Sequence, residues 1–190
     1  MKEIVKLGLI LLVISLVAAS ALAFTNELTA ATIQEQKNLK NELARKAVLP
    51  DASAFEALEP QSLQDLQKSF PILQDVFIGK DGDTVVGYVV RTAPSGYAGE
   101  VEVVTGVNAE GIVTGMRVGK HGETPGLGAK AVLPEFYSQY DTKKAIDIMV
   151  NKTKSSDTEI QAIAGSTITS KAVTLGVNES GKIVEQLTGK

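Results

Sequence analysis

The sequence predicts an α+β protein in which an antiparallel sheet is flanked by helices and preceded by one N-terminal transmembrane helix. Three observations predict it: an uncharged apolar run from Leu7 to Phe24, two hairpin patterns between residues 76 and 119, and helix-forming stretches on either side of them. Along the chain this gives a cytoplasmic N-terminus at 1–6, a membrane helix at 7–24, a helical stalk and linker at 25–71, and an extracytoplasmic folded domain at 72–190.

The run LGLILLVISLVAASALAF carries no charge, and at 1.5 Å per residue it makes about 27 Å of helix, close to the hydrocarbon thickness of a bilayer. Lys2 and Lys6 precede it, which by the positive-inside rule holds the short N-terminus in the cytoplasm and sends the rest across. Ala19-Ser20-Ala21 and Ala21-Leu22-Ala23 also resemble a small-x-small cleavage site, so a removed signal peptide competes with the favoured retained anchor. From Asn26 to Val48 helix formers dominate and the next breaker is Pro50, so a helical stalk is expected. Residues 51–71 read as loop with short helix.

VFIGK and TVVGYVVRTA flank Asp81-Gly82, and VEVVTGV and IVTGMRVG flank Asn108-Ala109-Glu110-Gly111. Each pair reads as a hairpin, and together they predict the antiparallel sheet. Ala93-Pro94-Ser95-Gly96-Tyr97-Ala98-Gly99 between them reads as a loop. Helices are expected around EFYSQYDTKKAIDIM and after Thr169.

Composition removes several functions. With 19 basic and 22 acidic residues the net charge is −3, which gives no field to attract nucleic acid. The sequence has no cysteine and a single histidine, His121, so disulfides, an iron–sulfur cluster held by this chain and a closed zinc site are not expected. Redox chemistry then calls for an organic cofactor.

Two stretches carry candidate chemistry. In His121-Gly122-Glu123-Thr124-Pro125-Gly126-Leu127-Gly128, Pro125-Gly126 suits the middle of a type II turn and Gly128 permits close backbone approach. In Ala164-Gly165-Ser166-Thr167-Ile168-Thr169-Ser170-Lys171-Ala172-Val173, four hydroxyl residues precede a short helix whose buried face is Ala172, Val173 and Val177. Thr169 or Ser170 serves as the N-cap in the plainest reading; a helix N-terminus with adjacent hydroxyls is also a ready phosphate site.

ETPGLG followed some forty residues later by AGSTITSKAV resembles the covalent-FMN domain of the G subunit of the Rnf complexes, the ion-translocating ferredoxin:NAD+ oxidoreductases, a domain shared with the C subunit of the sodium-pumping NADH:quinone oxidoreductase. The resemblance runs from about Tyr97 to Lys190. In that family the last hydroxyl of a Ser/Thr-Gly-Ala-Thr/Ser motif carries FMN through a phosphoester bond, which points to Thr167. Ala164 and Ser166 depart from the motif, as does Gln161 where an aspartate is common, and Ser166 is the rival acceptor.

The resemblance further implies that Gly165, Ser166, Ile168 and Thr169 surround the attachment point, that Glu123, Thr124, Gly126, Leu127 and Gly128 lie by the isoalloxazine ring, and that Glu123 bonds within its own loop. His121 has no assigned role, and Lys171 reads as a solvated helix lysine. The expected function is that of an electron-carrier subunit in a membrane complex coupling ferredoxin oxidation and NAD+ reduction to Na+ or H+ translocation, without turnover on its own. The partners implied are the other Rnf subunits and a flavin transferase that moves FMN from FAD. The alternatives are the FMN subunit of the quinone-reducing sodium pump and an exported FMN-binding sensor or assembly protein without redox activity.

Overall fold

The computed structural model describes residues 2–189; Met1 and Lys190, the ends of the outermost expected segments, lie outside the described residues. Two compact units follow one another, one up to Glu42 and one from Leu43 onward.

The first unit is helical. Helix α1, Lys2–Val48, runs without interruption, because after Gly8 no glycine or proline occurs until Pro50. The expected membrane helix and stalk are therefore one element. Its Lys2–Ala30 stretch of 29 residues is long and apolar enough to cross a membrane, and Leu9, Leu11, Leu12, Ile14 and Leu16 are all exposed around it, as a lipid-facing helix requires. The Thr25 and Thr29 hydroxyls donate to the carbonyls of Ala21 and Thr25 at 2.8 and 2.9 Å, so neither needs water.

In the second unit five strands form an antiparallel meander in the order β1-β2-β3-β4-β5: β1 Ala54–Ala57, β2 Leu73–Asp81, β3 Thr84–Thr92, β4 Val101–Asn108 and β5 Val113–His121. Both expected hairpins are present. β1 falls where the sequence reads as loop: a four-residue edge strand is too short to show a period, and it is defined only by pairing with β2. Helix α2, Pro60–Ser69, buries Leu66. The helix expected around EFYSQYDTKKAIDIM is cut short to α3, Pro134–Tyr137, and one 3₁₀ turn, Ser138–Tyr140. The chain is instead drawn onto the end of the sheet: Thr142 N–H donates to Val113 O, Val113 N–H to Lys143 O, and Ala145 N–H to Gly111 O, at 2.8 to 2.9 Å. Thr142 and Asp147 take positive φ there, which no helix continues through. Two short parallel strands follow, β6 Met149–Asn151 and β7 Glu159–Gln161.

Both sheet faces are covered, which is why β4 is buried along almost its whole length. On one face lies helix α4, Thr167–Thr188, with Val173, Val177, Ile183 and Val184 against Val101, Val103 and Val107. Gly176 sits so close that a Cβ would lie 2.7 Å from the Thr92 hydroxyl and 3.2 Å from Val103, and a Cβ on Gly181 would collide with the Ala145 carbonyl. The opposite face receives Val48, Leu49 and Ala52, packed with Val89 and Val104. Glycines clear the way for that segment. Gly106 opposes Gly115 across β4 and β5, and Gly79 opposes Gly87 across β2 and β3. A Cβ on Gly106 would overlap the Val48 carbonyl, one on Gly115 would lie 3.0 Å from Val48 Cα, and one on Gly87 3.1 Å from Leu49 Cδ1. Thr114 Oγ1 closes the contact by donating to Val48 O at 2.5 Å.

Gly106→Val is therefore expected to displace Val48 and lower stability by about 2 kcal/mol or more, the scale of overpacking a filled core; urea unfolding followed by tyrosine fluorescence measures it.

Candidate cofactor site

Helix α4 starts at Thr167, with Ser166 as the N-cap residue making no side-chain cap hydrogen bond. The cap thus falls earlier than the expected Thr169 or Ser170. The first intrahelical bond is Ser170 N–H to Ser166 O at 3.0 Å, and by helix geometry the amides of Thr167, Ile168 and Thr169 have no carbonyl one turn back. Before the helix, Ser166 N–H donates to Ile163 O at 2.9 Å and Gly165 has φ of 75°. Residues 163–166 form a tight turn with glycine at its left-handed position. Gly165 is the residue type that takes this left-handed position without strain.

The four hydroxyls separate by environment. Thr169 and Ser170 are buried, with relative exposures of 1% and 0%, and Ser166 is buried at 7%. Ser170 Oγ accepts from Ile163 N–H at 3.0 Å and donates to Ser166 O at 2.9 Å, stapling the turn to the helix. Thr169 Oγ1 donates to Glu123 Oε2 at 2.7 Å. Thr167, at the first helical position, is exposed.

The ETPGLG stretch faces this turn. Leu127 N–H donates to Thr124 O at 3.1 Å and Gly126 has φ of 80°, so Pro125-Gly126 form the expected type II turn. A Cβ on Gly165 would lie 3.3 Å from Leu127 Cδ2, so the two turns touch. Gly128 is close-packed, but its near neighbours are protein: a Cβ there would overlap the Glu123 carboxylate and lie 2.7 Å from Thr169 Oγ1.

Glu123, 6% exposed, ties three segments together. Its Oε1 accepts from Tyr97 N–H at 2.8 Å and Ala98 N–H at 3.1 Å, and its Oε2 accepts from Thr169. A Cβ on Gly96 would strike the same carboxylate. Both oxygens therefore bond to protein, reaching beyond the loop that carries them. Burial pushes the carboxyl pKa up, but the bonds from Thr169, Ala98 and Tyr97 and the nearby His121 outweigh it and hold it below the ordinary glutamate value. His121 Nδ1 accepts from Glu123 N–H at 3.2 Å.

Tyr97, Glu123, Thr124, Leu127 and Gly128 on one side and Gly165, Ser166, Thr167, Ile168 and Thr169 on the other enclose a cavity of about 430 Å³. Nine of the ten expected site residues line it; Gly126 stands outside the lining, at the adjoining turn. Tyr97, 72% exposed, is the lining residue that sequence reasoning missed. The turn-rich loop around it hid its aromatic side chain, and its tie to Glu123 spans 26 positions. Gln161 lies on β7, bonded through its amide to Lys152 O at 3.2 Å, and Lys171 is exposed.

Known proteins resemble this chain in sequence and in fold. A family model described as the FMN-binding domain matches residues 96–182, and one described as the RnfG N-terminal region matches residues 1–47. The G subunit of the Na(+)-translocating ferredoxin:NAD(+) oxidoreductase complex of Acetobacterium woodii is 48% identical, covering 98% of this chain and 94% of its own. The chain belongs to the G-subunit family of ion-translocating oxidoreductase complexes. Within that family, the G subunit of the proton-translocating complex of Clostridium ljungdahlii is 35% identical over 82% of this chain and 77% of its own, and the G subunit of the Escherichia coli complex is 31% identical over 98% and 94%. The crystal structure of Shewanella oneidensis NqrC shares the fold, with a TM-score of 0.51 at 20% identity over 77% of this chain and 74% of its own.

The site suits FMN. Open amides at the start of a 22-residue helix match a phosphate group, the cavity is of small-cofactor size, and Tyr97, Leu127 and Ile168 offer exposed apolar surface at its edge for a flat ring.

A carboxyl whose folded pKa is depressed adds stability at pH above its unfolded value and loses it as pH falls through the folded one. The wild-type melting temperature should therefore drop on acidification below the ordinary glutamate range by more than that of Glu123→Gln, which lacks this titration; thermal scans across pH 7 to about 3 compare the two.

Proposed function

We propose that this chain is the FMN-bearing electron carrier of a membrane complex that couples ferredoxin oxidation and NAD+ reduction to ion translocation, with FMN held as a phosphoester on Thr167. The observation that carries the attachment point is exposure: Thr167 is the one open hydroxyl on a turn whose neighbours Ser166, Thr169 and Ser170 are buried. An acceptor must reach the active site of a separate transferase, which favours Thr167 over Ser166. Family membership supports the complex, and the 48% and 31% identical relatives that span nearly the whole chain favour it over the quinone-reducing pump.

Attachment needs no change of oxidation state. The Thr167 hydroxyl oxygen would bond to the FMN-side phosphorus of FAD, its proton would be taken by the transferase, and the bond from that phosphorus to the bridging oxygen would break, AMP leaving with that oxygen. The residues here then do three things. The amides of Thr167, Ile168 and Thr169 stabilise the phosphodiester charge at the positive end of α4. Tyr97, Leu127 and Ile168 would give the flavin ring apolar contact and limit water around it. The Pro125-Gly126 turn would hold Thr124 and Leu127 in place on the wall of the flavin cavity. When bound, FMN supplies one- and two-electron transfer, which this cysteine-free chain otherwise lacks. The reading also puts the domain outside the cytoplasm behind a retained anchor, supported by Lys2 and Lys6 before the apolar stretch.

In protein made with its flavin transferase, Thr167→Ala is expected to abolish in-gel flavin fluorescence after denaturation, whereas Ser166→Ala keeps it. Fluorescence that survives Thr167→Ala and disappears with Ser166→Ala moves the attachment to Ser166. Because the chain has no cysteine, Lys154→Cys gives a single thiol on the exposed 152–157 loop. It should react with a membrane-impermeant maleimide in intact cells; reaction only after lysis reverses the orientation.

A further inference from the structure

We propose that Glu123 is the positioning residue for flavin attachment, holding the acceptor turn and the Tyr97 loop in the single geometry that a transferase can use. This rests on the reading that Thr167 is the acceptor and adds a role for a residue that does not touch the reacting atoms.

Thr167 sits two residues before Thr169, in the first turn of α4. Nothing within that turn fixes its outer edge, because Ser166 gives no side-chain cap. Ser170 secures the inner edge through Ile163 and Ser166. The outer edge is held by the bond from Thr169 Oγ1 to Glu123 Oε2 at 2.7 Å. The other carboxylate oxygen receives Tyr97 and Ala98 N–H, so one buried side chain sets the distance between the helix start and the loop across the cavity. Gly96 and Gly128 leave the room it occupies, since a Cβ on either would overlap its oxygens. Protein donors take three of the roughly four acceptor sites of the carboxylate, so its main bonds are structural ties between segments. Transfer from FAD requires in-line approach of the Thr167 oxygen to phosphorus, and small misplacements of a reacting group carry large rate costs.

The hydrogen-bond chemistry predicts which substitutions are tolerated. In Glu123→Gln the amide oxygen still accepts from Tyr97 and Ala98, while the amide nitrogen donates to Thr169 Oγ1, a hydroxyl able to accept. The bridge persists without its charge. Glu123→Ala removes both ends, and Thr169→Val, of nearly equal shape, cuts only the helix end.

The test is flavin transfer to the full-length chain in detergent by purified transferase with FAD and Mg2+, read as kcat/KM for the protein acceptor. Hydrogen exchange of apo protein over residues 163–169 is measured in parallel. Glu123→Ala and Thr169→Val are expected to lower kcat/KM on the order of tenfold or more and to speed exchange over 163–169 while β4 stays protected, and Glu123→Gln to stay within about threefold of wild type. Wild-type transfer rates in both Glu123→Ala and Thr169→Val overturn the proposal. So does loss of transfer in Glu123→Gln equal to that in Glu123→Ala, which would make the charge rather than the bridge the active feature. Failure of the wild type itself to take flavin on Thr167 overturns the attachment reading, and the proposal with it, a result distinct from any variant-specific change.

Discussion

The close seating of α4 on the sheet is the constraint from which the site follows. Gly176 brings the helix backbone down onto Thr92 and Val103, and Gly181 onto Ala145. Side chains then fix its rotation and height. Asn178 donates to Ile148 O and accepts from Ile148 N–H, both at 3.0 Å. The buried hydroxyls of Thr174 and Tyr140 bond at 2.7 Å, and burial holds the tyrosine firmly in its protonated form. With its middle locked, α4 presents its first turn at one place, beside the ETPGLG turn. A helix free to slide by one residue would carry Thr167 about 1.5 Å along its axis, enough to separate the two turns that meet at Leu127 and Gly165.

At that end of the helix two electrostatic demands meet. The start of α4 carries partial positive charge and open amides, which favour an anion. Glu123 is already an anion nearby, and it would compete if its charge were unscreened. Three protein donors absorb its charge, and none of them is an α4 amide. The carboxylate therefore ties the walls together through donors of its own, while the first amides of α4 are left without a carbonyl partner one turn back.

Much of this was legible in the sequence. Alternation and turn residues marked four of the five sheet strands, the apolar run marked the candidate span, and the two motif stretches marked nine residues that line the cavity. What escaped was long-range. The strand glycines at 79, 87, 106 and 115 look like interruptions in a sequence and become meaningful only when Val48 and Leu49 are seen lying across them. The position of Tyr97 at the cavity depends on its backbone N–H bond to Glu123, formed by tertiary contact. The helix expected near residue 140 had the right composition, but backbone bonds to Gly111 and Val113 outcompeted it. Of the four clustered hydroxyls, the motif had already pointed to Thr167 with Ser166 as rival; the sequence did not show that Ser166, Thr169 and Ser170 are buried while Thr167 is exposed.

Within the turn that opens α4, Thr167 is the exposed hydroxyl proposed to carry a covalent flavin. Peptide mass spectrometry of the chain matured with its flavin transferase tests it most directly. The account predicts that the peptide containing Thr167 carries the added mass of FMN, with fragment ions placing it on Thr167 itself. An unmodified Thr167 peptide in protein that retains flavin would contradict it.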